Sequence, residues 1–224
     1  MTTPAIIPYR LVRSRRKTIS IQVKNGEVEV RAPLQAPLHA IEEWVLSKQG
    51  WVKTRLAEEE KRNHERPAIT HGGRLLFFGE LRAIEIVSGM PGVEELGNRL
   101  VISHRRGEPV KVLAKWLQQE AQLYITERVN EIAAQMGEGG RIGTIHFRRT
   151  RSKWGHCTSE GNLQFNWLII MAPPEVIDYL IIHEISHLKH MNHSGVFWQR
   201  VERFCPHHRQ HRGWLKKNGH RIWI

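Results

Sequence analysis

Pro173-Pro174-Glu-Val-Ile-Asp-Tyr-Leu-Ile-Ile-His183-Glu184-Ile185-Ser186-His187-Leu-Lys-His190-Met-Asn192-His193 is the stretch from which the rest of the chain can be read. The paired prolines open a helix, because a first turn tolerates proline where its missing N–H has no partner to lose. Val176, Ile177, Leu180, Ile181, Ile182, Ile185 and Leu188 put apolar side chains on nearly every side of that helix, which predicts burial. His183 and His187 are four residues apart, about 40° around a helix, so both imidazoles point to one side. Glu184, beside the first histidine, can reach a water held by a metal between the rings. This is the His-Glu-x-x-His pattern of zinc hydrolases. Ligating or charged side chains on a buried helix need partners or a metal.

A third ligand is expected from His193, six residues beyond His187. A left-handed Asn192 would end the helix and swing His193 back toward the first two rings. Three protein ligands with an open fourth position describe a catalytic zinc site, whereas a structural site closes with four. His190 competes for the third place, but three ligands on one straight helix converge poorly on a tetrahedral ion, which favours His193. His207, His208 and His211 form either a candidate second metal site or a solvated surface.

Working outward, the N-terminal part reads as strands. Residues 17–23 and 27–31 alternate apolar and polar side chains around Asn25-Gly26, a type I′ hairpin signal. A helix is expected after Pro37, with Ile41, Val45, Trp51 and Leu56 near helical spacing. Short strands follow at 75–79, 82–87 and 99–103, with Gly89, Pro91, Gly92 and Gly97 in the turns between them. From Pro109 the period becomes helical, through Leu113, Leu117, Ile125, Val129 and Ile132, and Gly137, Gly139 and Gly140 end that helix. Two more strands are expected at 145–150 and 162–167. The division falls near residue 105: a strand-rich subdomain with one helix over 1–105, and a second domain over 106–224.

The chain has 224 residues, 40% of them hydrophobic and 25% charged, an ordinary globular composition that excludes wholesale disorder. No run approaches the ~18 apolar residues of a membrane helix, and the proline-containing start does not read as a secretory signal. Two cysteines, Cys157 and Cys205, cannot make a disulfide framework. A soluble, cytoplasmic protein is expected. The net charge of +12 is unevenly placed: residues 1–24 and residues 203–224 each carry six basic side chains and no acid. Such ends make nucleic acid or another polyanion a candidate partner.

The segments Arg151-Ser-Lys-Trp-Gly-His-Cys157, Gly161-Asn-Leu-Gln-Phe-Asn-Trp167, Ala172–Tyr179 and His183–Trp198 together resemble the YgjP-like metallopeptidase family, small zincins distantly related to SprT-like proteins. The resemblance is specific over about 145–217 and extends plausibly along the chain. It implies an α+β fold, with a strand-rich N-terminal half and a zincin-like domain whose motif helix packs on a small β-sheet. It also implies His183, His187 and His193 as Zn²⁺ ligands and Glu184 as the catalytic glutamate. One departure is His156, where the family has a small residue, usually serine, before the cysteine. His156 is thereby a candidate extra polar group beside the metal.

The expected reaction is attack on a peptide bond by zinc-bound water, activated by Glu184, in a peptide or protein substrate. His156, Arg151 and Tyr179 are candidate second oxyanion donors. The segment Asn162–Trp167 is expected as an edge strand able to pair with extended substrate. Ser194 is expected to cap the helix over 195–204, with Phe197 and Trp198 packing beneath the site. Two alternative functions are carried: a zinc-dependent nucleoside triphosphate pyrophosphatase, suited by Arg148, Arg149, Arg151 and Lys153, and a nucleic-acid-associated zinc protein using its basic termini.

Overall fold

The computed structural model describes residues 7–105 and 107–224, so residues 1–6 of the segment read as lacking a signal lie outside the described residues. The fold is α+β, as expected. It divides into two compact units, Met1–Glu65 and Arg66–Ile224. Among the described residues no helix is long and apolar enough to cross a membrane.

In the first unit, strands β1 (Arg10–Ser14), β2 (Ser20–Lys24) and β3 (Glu27–Pro33) form a sheet in the order β1-β3-β2. Asn25 and Gly26 take φ of 54° and 77°, the positive values a type I′ turn requires, and β2 pairs antiparallel with β3. Glu59 braces the turn, its carboxylate accepting from the Asn25 and Gly26 N–H groups at 2.6 and 3.0 Å. Alternation along β3 buries Val28, Val30 and Ala32. The single helix expected after Pro37 is two, α1 (Leu38–Ser47) and α2 (Gln49–His64). Lys48 leaves the helical region (φ −104°, ψ 3°), and Gly50 just beyond it weakens a continuous helix. Trp51, assigned to the buried face by its spacing, is consequently 44% exposed, and Val52 is buried in its place.

In the second unit, β4 (Arg74–Phe77), β5 (Glu80–Ser88), β6 (Gly92–Leu96) and β7 (Arg99–His104) form a sheet in the order β4-β5-β7-β6. The stretch around Gly92, expected as a turn, is the strand β6. Helix α3 (Pro109–Gln135) buries Leu113, Leu117, Ala121, Ile125, Val129 and Ile132 along one face and ends before Gly137 at φ 71°. Those residues share one core with Leu75, Phe77, Leu100 and Ile102 of the sheet. The division expected near residue 105 therefore falls inside this unit, between β7 and α3. The change from strand to helical period there marks a change of element within one core.

The second sheet holds β8 (Ile145–Arg148), β9 (Gly155–Cys157) and β10 (Leu163–Asn166) in the order β8-β10-β9. The segment expected as an edge strand is thus the central strand, flanked by parallel β8 and antiparallel β9. A 3₁₀ turn over Trp167–Met171, wholly buried, leads into α4 (Pro174–Ser186). The turn between β4 and β5 docks on it, with Phe78 N–H and Gly79 N–H donating to Ile170 and Met171 carbonyls at 3.1 Å each. Arg128 of α3 clamps Asp178 of α4 through two bonds of 3.0 and 2.7 Å. The motif helix is thus held by the 3₁₀ turn before it and by the helix packed against it. Helices α5 (Gly195–Phe204) and α6 (His208–Asn218) complete the unit.

Candidate metal centre

Helix α4 delivers two histidines from its C-terminal end: His183 in the last turn and His187 as the residue that closes it. Successive three-residue bonds, from His187 N–H to Glu184 O, Leu188 to Ile185 and Lys189 to Ser186, tighten the chain as it leaves the helix. The chain then bends at Met191 and Asn192 without the left-handed Asn192 that was expected: among the described non-glycine residues only Asn25 and Phe78 have positive φ. Asn192 instead accepts from Ser194 N–H at 3.3 Å through its side chain. Ser194 is the N-cap of α5, but its own side chain makes no capping bond.

The reversal brings His193 opposite His183, with their Nε2 atoms 3.1 Å apart. One ligand atom from each of His183, His187 and His193 lies within 4.8 Å of the others. His190 takes part through its backbone alone: its carbonyl lies 3.0 Å from His187 Nδ1. With Nδ1–H donating there, His187 presents the lone pair of Nε2 to the cluster. His183 Nδ1 is buried without a partner, so its polar contact is with the cluster on the Nε2 side. Burial, reinforced by His187, His193 and Arg212, holds the His183 imidazole down to a pKa of about 3, so it is neutral and able to ligate.

A metal ion fits this donor set. Two nitrogens bound at ~2.0–2.1 Å with tetrahedral angles stand roughly 3.3 Å apart, close to what His183 and His193 present. Phe197, fully buried on α5, forms the base of the site, stacked on His187 at 4.6 Å and 29°. Trp198 stacks on His193 at 5.7 Å and 27° and on His208 at 5.6 Å and 21°. Both aromatics lie beneath the histidines, where the sequence spacing put them.

Glu184 is 4% exposed and lines the same cavity, of about 540 Å³, as the three histidines. Burial pushes its carboxyl up to a pKa of about 8, against the pull of the Lys153 charge. The backbone of β9 runs directly beside it: a Cβ on Gly155 would lie 2.3 Å from Glu184 Oε1. Tyr179 and His156 also line the cavity, and burial raises the Tyr179 hydroxyl to about 12, so it keeps its proton to donate. Arg151, expected here, is exposed in the loop between β8 and β9 and outside the cavity lining.

The protein's kinship follows from a direct match: a model of the YgjP-like metallopeptidase domain fits residues 17–218. The chain belongs to the YgjP-like family. Among solved structures, the metallopeptidase zymogen of Pyrococcus abyssi abylysin is similar to 42% of this YgjP-like chain and 93% of its own, at 19% identity and a TM-score of 0.38. No curated protein matches the chain.

Several parts of this YgjP-like site carry no motif. Glu138, 1% exposed after α3, accepts from Arg200 of α5 at 2.7 Å and from Arg141 at 3.0 Å, and Lys189 lies 3.7 Å away. Arg141 also donates to Leu188 O at 2.7 Å, so this ion cluster braces the turn between His187 and His193. Lys153, Arg212 and Lys216 line the cavity. The latter two belong to the basic C-terminal end, which is therefore part of the site. The cluster His207, His208 and His211 does not converge: among the described residues the His183, His187 and His193 group alone has metal-binding spacing.

Proposed function

We propose that this YgjP-like chain is a zinc-dependent metallopeptidase in which His183, His187 and His193 hold Zn²⁺ and Glu184 is the catalytic carboxylate. The convergence of three ring nitrogens within 4.8 Å, beside a buried carboxylate in one cavity, carries the reading. Zinc bound there supplies a Lewis acid and lowers the pKa of a water to about 7. Glu184 takes a proton from the attacking water and returns it to the leaving amine. Tyr179 and His156, which line the same cavity, are the candidate donors to the developing oxyanion.

The open edge of β9 is suited to an extended substrate. β9 pairs with β10 through Trp154 O and Thr158 N–H, so by alternation the main-chain groups of Gly155 and Cys157 turn away from β10, beside the cavity. β9 thus takes the role expected of 162–167. The unpaired thiols of Cys157 and Cys205 support a cytosolic setting. The cations Lys153, Arg212 and Lys216 favour a second reading, hydrolysis of a nucleoside triphosphate by the same centre. Parallel assays of zinc-loaded wild type and Glu184→Gln on unfolded protein, peptides and nucleoside triphosphates test both. Peptide cleavage is expected to fall roughly 10²–10⁴-fold in Glu184→Gln with zinc retained. Full activity in that variant, or hydrolysis of the triphosphate alone, would refute the peptidase mechanism.

A further inference from the structure

The basic C-terminal helix has a consequence for what the cleft accepts. Arg209, Arg212 and Lys216 are spaced three and four residues apart on α6 and share one face. Arg212 and Lys216 line the cavity that holds the three histidines. Both also line an adjoining cavity of about 750 Å³, together with Arg209, His208 and Trp198. Lys153 contributes a fourth cation from the loop before β9. All four are exposed, and among the described residues none of them forms an ion pair with a carboxylate, although ion pairs are frequent elsewhere in the chain. Glu184 is the one acid lining either cavity. Arg212 is held in place by packing over the Trp198 ring, 5.0 Å from its centroid, in a cation–π contact that leaves its charge uncompensated.

Resting on the peptidase reading above, we propose that this face of α6, with Lys153, is a subsite for acidic side chains, so that the enzyme selects Asp- and Glu-rich peptide segments. From Arg209 to Lys216 the helix rises about 10 Å. That suits two same-side carboxylates of an extended peptide, which repeat every ~6.8 Å. The β9 edge favours a peptide over other polyanions, because its Gly155 and Cys157 main-chain groups can pair with a peptide backbone. The charges then read alternate side chains while the strand edge sets the register.

The test uses zinc-loaded full-length Glu184→Gln, which binds without turnover, and two fluorescein-labelled peptides, one with Asp and Glu at alternate positions and one with Asn and Gln in their place. The acidic peptide is expected to bind roughly tenfold more tightly near 0.01 M salt, and no more than about twofold near 1 M, where the screening length has shrunk from ~30 Å to ~3 Å. Arg209→Gln/Lys216→Gln is expected to lose most of that preference with an unchanged melting temperature. Equal affinities, or a preference that survives in the double variant, would overturn the subsite. An unlabelled DNA strand or nucleoside triphosphate displacing the acidic peptide more effectively than the unlabelled peptide itself would overturn its assignment to peptides. Wild-type cleavage of the same pair separates this proposal from the one it rests on. Preferential binding with neither peptide cleaved upholds the subsite and refutes the peptidase; cleavage of both with equal affinity does the reverse.

Discussion

Gly155→Ala perturbs the Glu184 carboxylate, the proposed base, without touching a histidine. The added Cβ would sit 2.3 Å from Glu184 Oε1, 2.6 Å from its Cδ and 2.7 Å from its Cγ, where ordinary contact begins at 3.4 Å. The carboxylate must therefore withdraw by about 1 Å, and at 4% exposure it has little room to do so. Two effects are expected. Overpacking destabilises by about 1–3 kcal/mol. Displacing a catalytic group by about 1 Å lowers the rate on the order of 10²-fold. The assay is kcat/KM on a fluorogenic peptide, with zinc content and melting temperature measured on the same preparation. The expected result is a kcat lower by about two orders of magnitude, zinc retained and KM little changed. A Gly155→Ala enzyme with at least half the wild-type kcat would refute the placement of Glu184 as the working base.

Glu138→Ala leaves Arg141, Arg200 and Lys189 without their shared carboxylate. It is expected to cost about 1–3 kcal/mol, since those cations remain partly solvated, lowering the melting temperature by roughly 5 °C; zinc affinity should weaken about tenfold because the turn between His187 and His193 loosens. An unchanged melting curve would show that the cluster braces nothing. Cys157 is raised by burial, and by the nearby Glu184 charge, to a pKa of about 11. A raised thiol pKa means the protonated form persists as pH rises, so alkylation by iodoacetamide should climb about tenfold per pH unit between about pH 7 and pH 9 in the native protein, and level off there once the chain is unfolded. A native rate that levels off near pH 8 would contradict the burial.

How much of this was legible in the residues depends on the range of the interaction. The helix opened by Pro173-Pro174, the shared side of His183 and His187, and the Asn25-Gly26 hairpin are local, and spacing alone revealed them. The return of His193 was anticipated from its separation, but by the wrong device: the chain bends at Met191 and Asn192, and Asn192 stays outside the left-handed region. A strand of three residues, β9, is too short to show alternation, so the sheet edge was assigned to 162–167 instead. Gly155 carries no signal of its own, because its role is the absence of a Cβ beside a residue 29 positions away. Glu138 looked like one acid among many, and only the packed core brings Arg141, Lys189 and Arg200 to it. The C-terminal cations were counted correctly and read as a polyanion-binding end apart from the metal site. Tertiary packing makes three of them one wall of the cleft.

The central claim is that His183, His187 and His193 hold one catalytic zinc. Elemental analysis of the purified full-length chain, beside His187→Ala and His193→Ala, tests it most directly. The account predicts about one zinc per wild-type chain and background zinc in both variants, each still folded by circular dichroism. A wild-type chain free of metal after zinc reconstitution, or variants that keep their zinc, would contradict it.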